Sequence, residues 1–415
     1  MPRRRSSKSQ LSRVRPDGVE GVSRLQVLQH FLGLGFYNVW ILIKLRSQPA
    51  RPPAAMPVDD AEREQPESEA LDWWDKYRGH NVEAKTPIDQ ACQDGWTVLM
   101  QASWVDMISL LLQHGANVDI QRPDGFTALA TACEFGHLGA ARALLAAGAC
   151  IDLPNQDGNT PLVWAARGNH TALVQLLLDS HADVDAVNNE GWTVLMQASS
   201  EGHAYVISLL LKNGANRDTQ HPNGFSALTI ACAFGHVAAV RVLLDAGADP
   251  DLQSQGGNSP LIWAARGNHG AVVQLLLDRG VMIDVTDNEG WTALMHAAWG
   301  GDSEMVSLLL ENGAGVDTRG LNGLSALATT CERGLVDAAR VLLDAGADPD
   351  LQNQVGNSPL IWATRGNHSA LAQLLLDKGA SIDTTDNDGW TALMHASRRG
   401  YTGVISLLLG NGAKR

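Results

Sequence analysis

A period of 33 residues constrains this chain more than anything else in it. Gly95, Gly125, Gly158, Gly191, Gly224, Gly257, Gly290, Gly323, Gly356 and Gly389 occupy equivalent places, and every step is 33 except the first, which is 30. Ten units therefore run from about Cys92 to Arg415. A unit of this size buries too little apolar surface to fold alone, and it gains a core only by stacking on its neighbours. The 415 residues would otherwise suggest two or three globular domains. The repeat replaces that reading with an elongated array in which only adjacent units touch.

Each unit reads the same way. A polar turn ending in glycine, such as Asp287-Asn288-Glu289-Gly290, precedes a short helix, Thr292 to Ala298, with small residues on one face. A Gly-His pair such as Gly202-His203 then breaks the chain, because glycine tolerates left-handed backbone. A longer helix with a leucine triplet, Leu209-Leu210-Leu211, follows and closes on Asn213-Gly214-Ala215, a helix-stop signal.

These residues resemble the ankyrin repeat. Thr160-Pro161-Leu162 through Ala165-Ala166, His170, Leu176-Leu177-Leu178, Gly247-Ala248-Asp249 and Gly346-Ala347-Asp348 fit that family's pattern, and the resemblance covers about three quarters of the chain. It implies an all-α solenoid of stacked helix-turn-helix units joined by short β-hairpin loops. It also implies a non-enzymatic scaffold or adaptor that binds partner proteins through its concave face and hairpin tips. There are departures. Where the family has His after Thr-Pro-Leu, this chain has Met196, Ala130, Val163, Thr229 or Ile262. The family's closing Asn is Asp in nine units, from Asp119 to Asp383. The first unit lacks three residues between its helices, around Trp104-Val105, which predicts an irregular turn there.

A second period of 99 overlies the first. Gly257 to His269 and Gly356 to His368 differ only at Ala265 and Thr364, so a block of three units has been duplicated. Duplication preserves residues whether or not they act, and identity between copies is weak evidence of a site.

Nothing in the sequence marks chemistry. GxxxxGK[ST], HExxH, GxSxG, an EF-hand loop and the kinase signatures are all missing, so no enzymatic activity, cofactor or metal is expected. His137, His170, His203, His236, His269 and His368 recur once per unit. At the ~10 Å spacing of packed helices they cannot converge within about 2 Å of one ion. Cys133, Cys232 and Cys331 recur every 99 residues, about 30 Å apart, beyond the ~7 Å reach of a disulfide. They read as small core residues, and five cysteines in all suggest a reducing compartment. A net charge of -14 excludes general nucleic-acid binding, which needs a cationic surface. The sequons at Asn169 and Asn367 read as chance matches.

The twelve tryptophans are the better clue. Trp96, Trp192, Trp291 and Trp390 follow the turn glycine, and Phe126 and Phe225 hold that place in the second kind of unit. In the third kind Trp164, Trp263 and Trp362 lie in the first helix with Arg167, Arg266 and Arg365 three residues on, a spacing that puts ring and guanidinium on one helix face. The expected partner contacts are Trp164, Arg167, Trp192, Phe225, Trp263, Arg266, Trp291, Trp362, Arg365 and Trp390, since Trp and Arg are favoured at interface hot spots. Packing between units is the rival reading for each ring. The acids around them, Glu190, Asp287 and Glu289, favour a partner with basic groups at its rim.

Ahead of the array, residues 1–70 read as a largely disordered tail, first basic and then acidic, and residues 71–91, with Leu71, Trp74 and Tyr77 at helical spacing, as a capping helix. Residues 25–43 lack Asp, Glu, Lys and Arg, but the strongest apolar run, Phe31 to Ile43, falls short of the ~20 residues a span needs. The expectation is a monomeric cytoplasmic protein, with the nucleus as a second address. It binds other proteins and no nucleic acid. The alternatives are a membrane tether or organelle targeting through this basic N-terminus and residues 25–43, and a substrate adaptor of a ubiquitin ligase, for which the sequence offers no motif.

Overall fold

The computed structural model describes residues 88–92, 95–102 and 104–414. Among them are twenty helices in ten consecutive pairs. The first members of the pairs are α1 Val98–Gln101, α3 Ala128–Phe135, α5 Pro161–Arg167, α7 Val194–Glu201, α9 Ala227–Ala233, α11 Pro260–Arg266, α13 Ala293–Gly300, α15 Ala326–Arg333, α17 Pro359–Arg365 and α19 Ala392–Arg399. The second members are α2 Val105–Gln113, α4 Leu138–Ala146, α6 Thr171–Asp179, α8 Ala204–Lys212, α10 Val237–Asp245, α12 Gly270–Asp278, α14 Ser303–Glu311, α16 Val336–Asp344, α18 Ser369–Asp377 and α20 Thr402–Gly410. The sequence period and the structural period coincide.

Local chemistry sets the helix ends. Thr292 caps α13 by accepting the Met295 N–H at 3.3 Å, one of the donors a helix start leaves unpaired. Pro161, Pro260 and Pro359 sit at the first helical position of α5, α11 and α17, where a missing N–H costs nothing. Gly202 ends α7 with φ 76°, and a Cβ there would meet His236 Nδ1 at 2.6 Å. The second helices are amphipathic, and α8 buries Val206, Ile207 and Leu210. The strong contacts lie within a pair or between adjacent pairs. First helices pack more closely on one another than second helices do, so the row of first helices lies on the inside of the bend.

Three ladders of polar bonds tie the joints. The closing Asp of one unit accepts a backbone N–H of the next, from Asp119–Cys150 at 2.8 Å to Asp383–Lys414 at 3.0 Å. A carboxylate strengthens such a bond, which accounts for Asp where the family pattern has Asn. The repeated histidines reach back 36 residues: His170 Nε2 bonds the Glu134 carbonyl at 3.1 Å, and His203, His236, His269 and His368 repeat the contact. The turns join tip to tip through bonds such as Asn189 N–H to the Asp157 carbonyl at 2.9 Å.

One expectation changes in detail. The hairpins shrink to tight turns: among the described residues there is no strand, only the bridges Val187–Thr193 and Thr385–Thr391. The cause is local. Asn155 Oδ1 takes the N–H groups of Asp157 and Asn159, so a side chain holds the turn that a longer hairpin would hold with strand pairing. The first pair is irregular, as its shortened sequence predicts. Helix α1 has four residues and ends at Ala102 in extended backbone, without the left-handed Gly or Asn that follows the first helix in the other units. The segments 1–70 and 25–43, and the capping segment up to residue 87, lie outside the described residues. No helix among the described residues is long and apolar enough to cross a membrane.

Candidate functional site

The inner row carries a repeated aromatic–guanidinium construction. Helices α5, α11 and α17 each present Trp in the fourth place and Arg in the seventh, one turn apart. The guanidinium lies over the indole in all three: Arg167 5.0 Å from the Trp164 centroid, Arg266 4.8 Å from Trp263 and Arg365 5.1 Å from Trp362. Two of the indoles also meet the turn residue of the preceding unit. Phe126 stands 4.8 Å from Trp164, and Phe225 5.2 Å from Trp263; Leu324 holds that place before Trp362 and is buried.

The ten sequence-nominated residues thus form joints spread along the array. Phe225, Trp263 and Arg266 meet in one cluster. Trp192 belongs to the neighbouring joint, edge-on to His221 at 5.8 Å. Trp291 lies 5.3 Å from His296 and 5.7 Å edge-on from Trp299. Trp390 lies 5.5 Å from His395 under the Arg398 guanidinium at 5.3 Å. Trp164 is 7% exposed and Trp192 6%. These two are packed between units, Trp164 against Phe126 and Trp192 against His221, and a partner would feel them through their neighbours. Phe225, Trp263, Trp291, Trp362 and Trp390 are half-buried, and so are Arg167, Arg266 and Arg365. The indole N–H groups of Trp164, Trp192, Trp263 and Trp362 are buried without a hydrogen-bond partner.

Beneath two of the turn tryptophans lies a hydrogen-bonded Asp–His pair. Asp287 Oδ2 is 2.8 Å from His296 Nε2, and Oδ1 accepts the N–H groups of Trp291 at 2.8 Å and Glu289 at 2.9 Å. Asp386 and His395 repeat the arrangement at 2.8 Å. Burial alone would raise the Asp287 carboxyl, but the His296 bond and the Trp291 N–H outweigh it and hold it below its ordinary value. For Asp386 the Trp390 N–H and His395 do the same against burial. Asp287 is therefore committed to its turn, whereas Glu190 and Glu289 stand exposed at the tips. Burial pushes the thiols of Cys133, Cys232 and Cys331 well above their ordinary value, so these groups stay protonated and unreactive. Among the described residues no three His, Cys, Asp or Glu side chains come together to hold a metal.

The single-unit pattern does not distinguish Trp299 or Arg333, yet they are among the most accessible members of the row. Trp299 is 37% exposed, and the Arg333 guanidinium lies 4.5 Å from its ring centroid. Comparison across 99 residues finds them: Trp299 stands where an earlier copy has Ser200, and Arg333 where it has Phe234.

A family model described as ankyrin repeats, in three copies, matches this chain in overlapping stretches: 76–155, 99–188, 164–254, 210–287, 231–320 and 326–414. Among solved structures, the ankyrin repeat domain of Bcl-3, a member of the IkappaB protein family, is 32% identical. That match covers 54% of this chain and 100% of that one, with a TM-score of 0.49.

Proposed function

The chain belongs to the ankyrin-repeat family, and from that premise we propose a non-enzymatic scaffold or adaptor that holds partner proteins against its inner face and turn tips. Ankyrin repeats are in general protein–protein interaction modules. The observation that carries the finer reading is the repeated guanidinium-on-indole stack along the inner row, half-open at Trp263, Trp362 and Trp390. Such stacks are stiff before any partner arrives, which lowers the ordering cost of association. Aromatic and guanidinium groups supply most of the energy at interface centres.

The tips are stiff as well. Gln121, Gln220 and Gln352 each donate to two carbonyls, one in their own turn and one 33 residues further on. A monomer in the cytoplasm or nucleus suits the buried thiols at Cys133, Cys232 and Cys331. The test is reconstitution: partners captured on the purified chain are re-expressed singly and titrated against it. Trp362→Ala with Trp390→Ala weakens a true inner-face partner by about tenfold or more while far-UV helicity holds. Undiminished binding would put the contact elsewhere.

A further inference from the structure

The C-terminal ends of the inner helices divide the array into two halves of different charge. In the N-terminal half these ends carry Glu134, Phe135, Arg167, Ser200, Glu201 and Phe234. From α11 onward they carry Arg266, Arg333, Arg365, Arg398 and Arg399, against the single carboxylate of Glu332, with Trp299 among them. A strip of five guanidiniums on a chain of net charge -14 calls for an account.

We propose that this strip docks an acidic, extended segment of a partner protein; the proposal rests on the protein-binding reading above and names the chemistry it selects. Arg266 and Arg365 repeat Arg167, but the other three guanidiniums are not inherited from the duplication. Arg333 replaces Phe135 and Phe234 of the sibling copies, and Arg398-Arg399 replaces Ser200-Glu201. Helix dipoles favour cations at C-termini, but the sibling helices α3, α7 and α9 end without them, so the dipole does not demand them.

The guanidiniums are held in place. Arg266, Arg333, Arg365 and Arg398 lie 4.5 to 5.3 Å from indole centroids, and Arg399 Nη1 donates to the Arg365 carbonyl at 2.9 Å. Among the described residues, Arg333, Arg365, Arg398 and Arg399 form no ion pair, and Arg333, Arg398 and Arg399 are exposed. A flat guanidinium with open edges takes a carboxylate by two parallel hydrogen bonds. Trp299 supplies the apolar ground between them. The strip crosses four steps of the array, about 40 Å at ~10 Å each, which an extended peptide of about 12 residues spans. A long polyanion such as a nucleic acid would also meet the exposed carboxylates of Glu289 and Asp388 at the tips, and a short peptide need not.

The full chain is titrated with fluorescein-labelled peptides of about 12 residues in which Glu alternates with Phe and Ser, and with the same peptide carrying Gln for Glu. The Glu peptide binds in preference and weakens with salt. Arg333→Gln with Arg365→Gln and Arg399→Gln lowers its affinity at least about tenfold at unchanged melting temperature. Arg142→Gln with Arg340→Gln, on outer helices α4 and α16, leaves it unchanged. Equal binding of the two peptides overturns the proposal, and so does indifference to the triple substitution. Tighter binding of a single-stranded oligonucleotide, with the same arginine dependence, also overturns it. A display selection of random peptides on the same protein separates this claim from the broader one. Acidic winners lost on the triple variant support it. Winners without acidic residues overturn it and leave the protein-binding reading standing. A selection with no winners counts against both.

Discussion

Asp287 and His296 show how one joint is tuned by two side chains. The sibling unit holds Asn188 and Gln197 in the same places, and Asn188 Oδ1 accepts the Trp192 N–H at 2.9 Å and the Glu190 N–H at 3.1 Å. An amide therefore holds the turn as the carboxylate does. Asp287→Asn with His296→Gln is expected to cost less than about 1 kcal/mol at neutral pH, whereas Asp287→Ala, which strands two backbone donors, costs about 1–3 kcal/mol. The pH dependence has a definite sign. Asp287 and Asp386 sit below their ordinary value, so their contribution is complete above about pH 4 and is lost as pH falls through the folded-state value. Melting temperatures at pH 6 and pH 3 should fall further in the natural protein than in a variant with both pairs exchanged for Asn and Gln. An equal fall would assign the acid sensitivity to other carboxyls. Glycines divide in the same way. Gly202→Ala places a methyl against the His236 ring at positive φ and is expected to cost about 1–3 kcal/mol. Gly300→Ala, inside α13 with nothing within 4 Å, should gain up to about 1 kcal/mol. Chemical denaturation of the two variants checks the contrast.

The helix pair was legible in the sequence because its signals are local. A Thr or Ser cap, an apolar period and a glycine stop need no knowledge of neighbours, and they placed Thr292, Leu210 and Gly214 correctly within their elements. What lies between pairs was not legible. Trp192 and Trp291 hold the same sequence position, yet one is buried and the other half-open. The difference comes from the next unit, where His221 lies against the first ring and Gly320 faces the second. The roles of the repeated histidines and of the closing Asp likewise became readable only when a carbonyl 36 residues back, or an N–H 31 residues on, was found within reach. Leu210 tests the element itself. It is fully buried in α8, so Leu210→Ala is expected to cost about 2–5 kcal/mol. The loss should appear in the hydrogen exchange of α7 to α10 and leave α15 to α18 unchanged.

Across the whole molecule, stability follows from each pair touching only its neighbours. Among the described residues an inner pair packs on a neighbour at each side, and the last pair, α19 with α20, on one neighbour. Met295 in α13 is 1% exposed, and its counterpart Met394 in α19 is 51% exposed. Helix α13 buries five of its residues, including Leu294 and Met295, and α19 buries only Ala392 and Ala396. The opposite end is weaker for a second reason. Helix α1 is a single turn and its exit at Ala102 is extended. With pairwise coupling, opening proceeds inward from both ends, and its free energy rises from near zero at the termini toward the global value at the centre. Native-state hydrogen exchange is therefore expected to rank α1 and α2 fastest, α19 and α20 next, and α7 to α14 slowest, with protection rising by steps of one pair. A single protection level across all ten pairs would mean that coupling extends beyond neighbours and that the array opens as one body. A step falling inside the C-terminal half, between α15 and α19, would mean that the mutual repulsion of Arg333, Arg365, Arg398 and Arg399 weakens those joints. Adding salt would then raise protection there and nowhere else, because screening relieves repulsion between exposed charges.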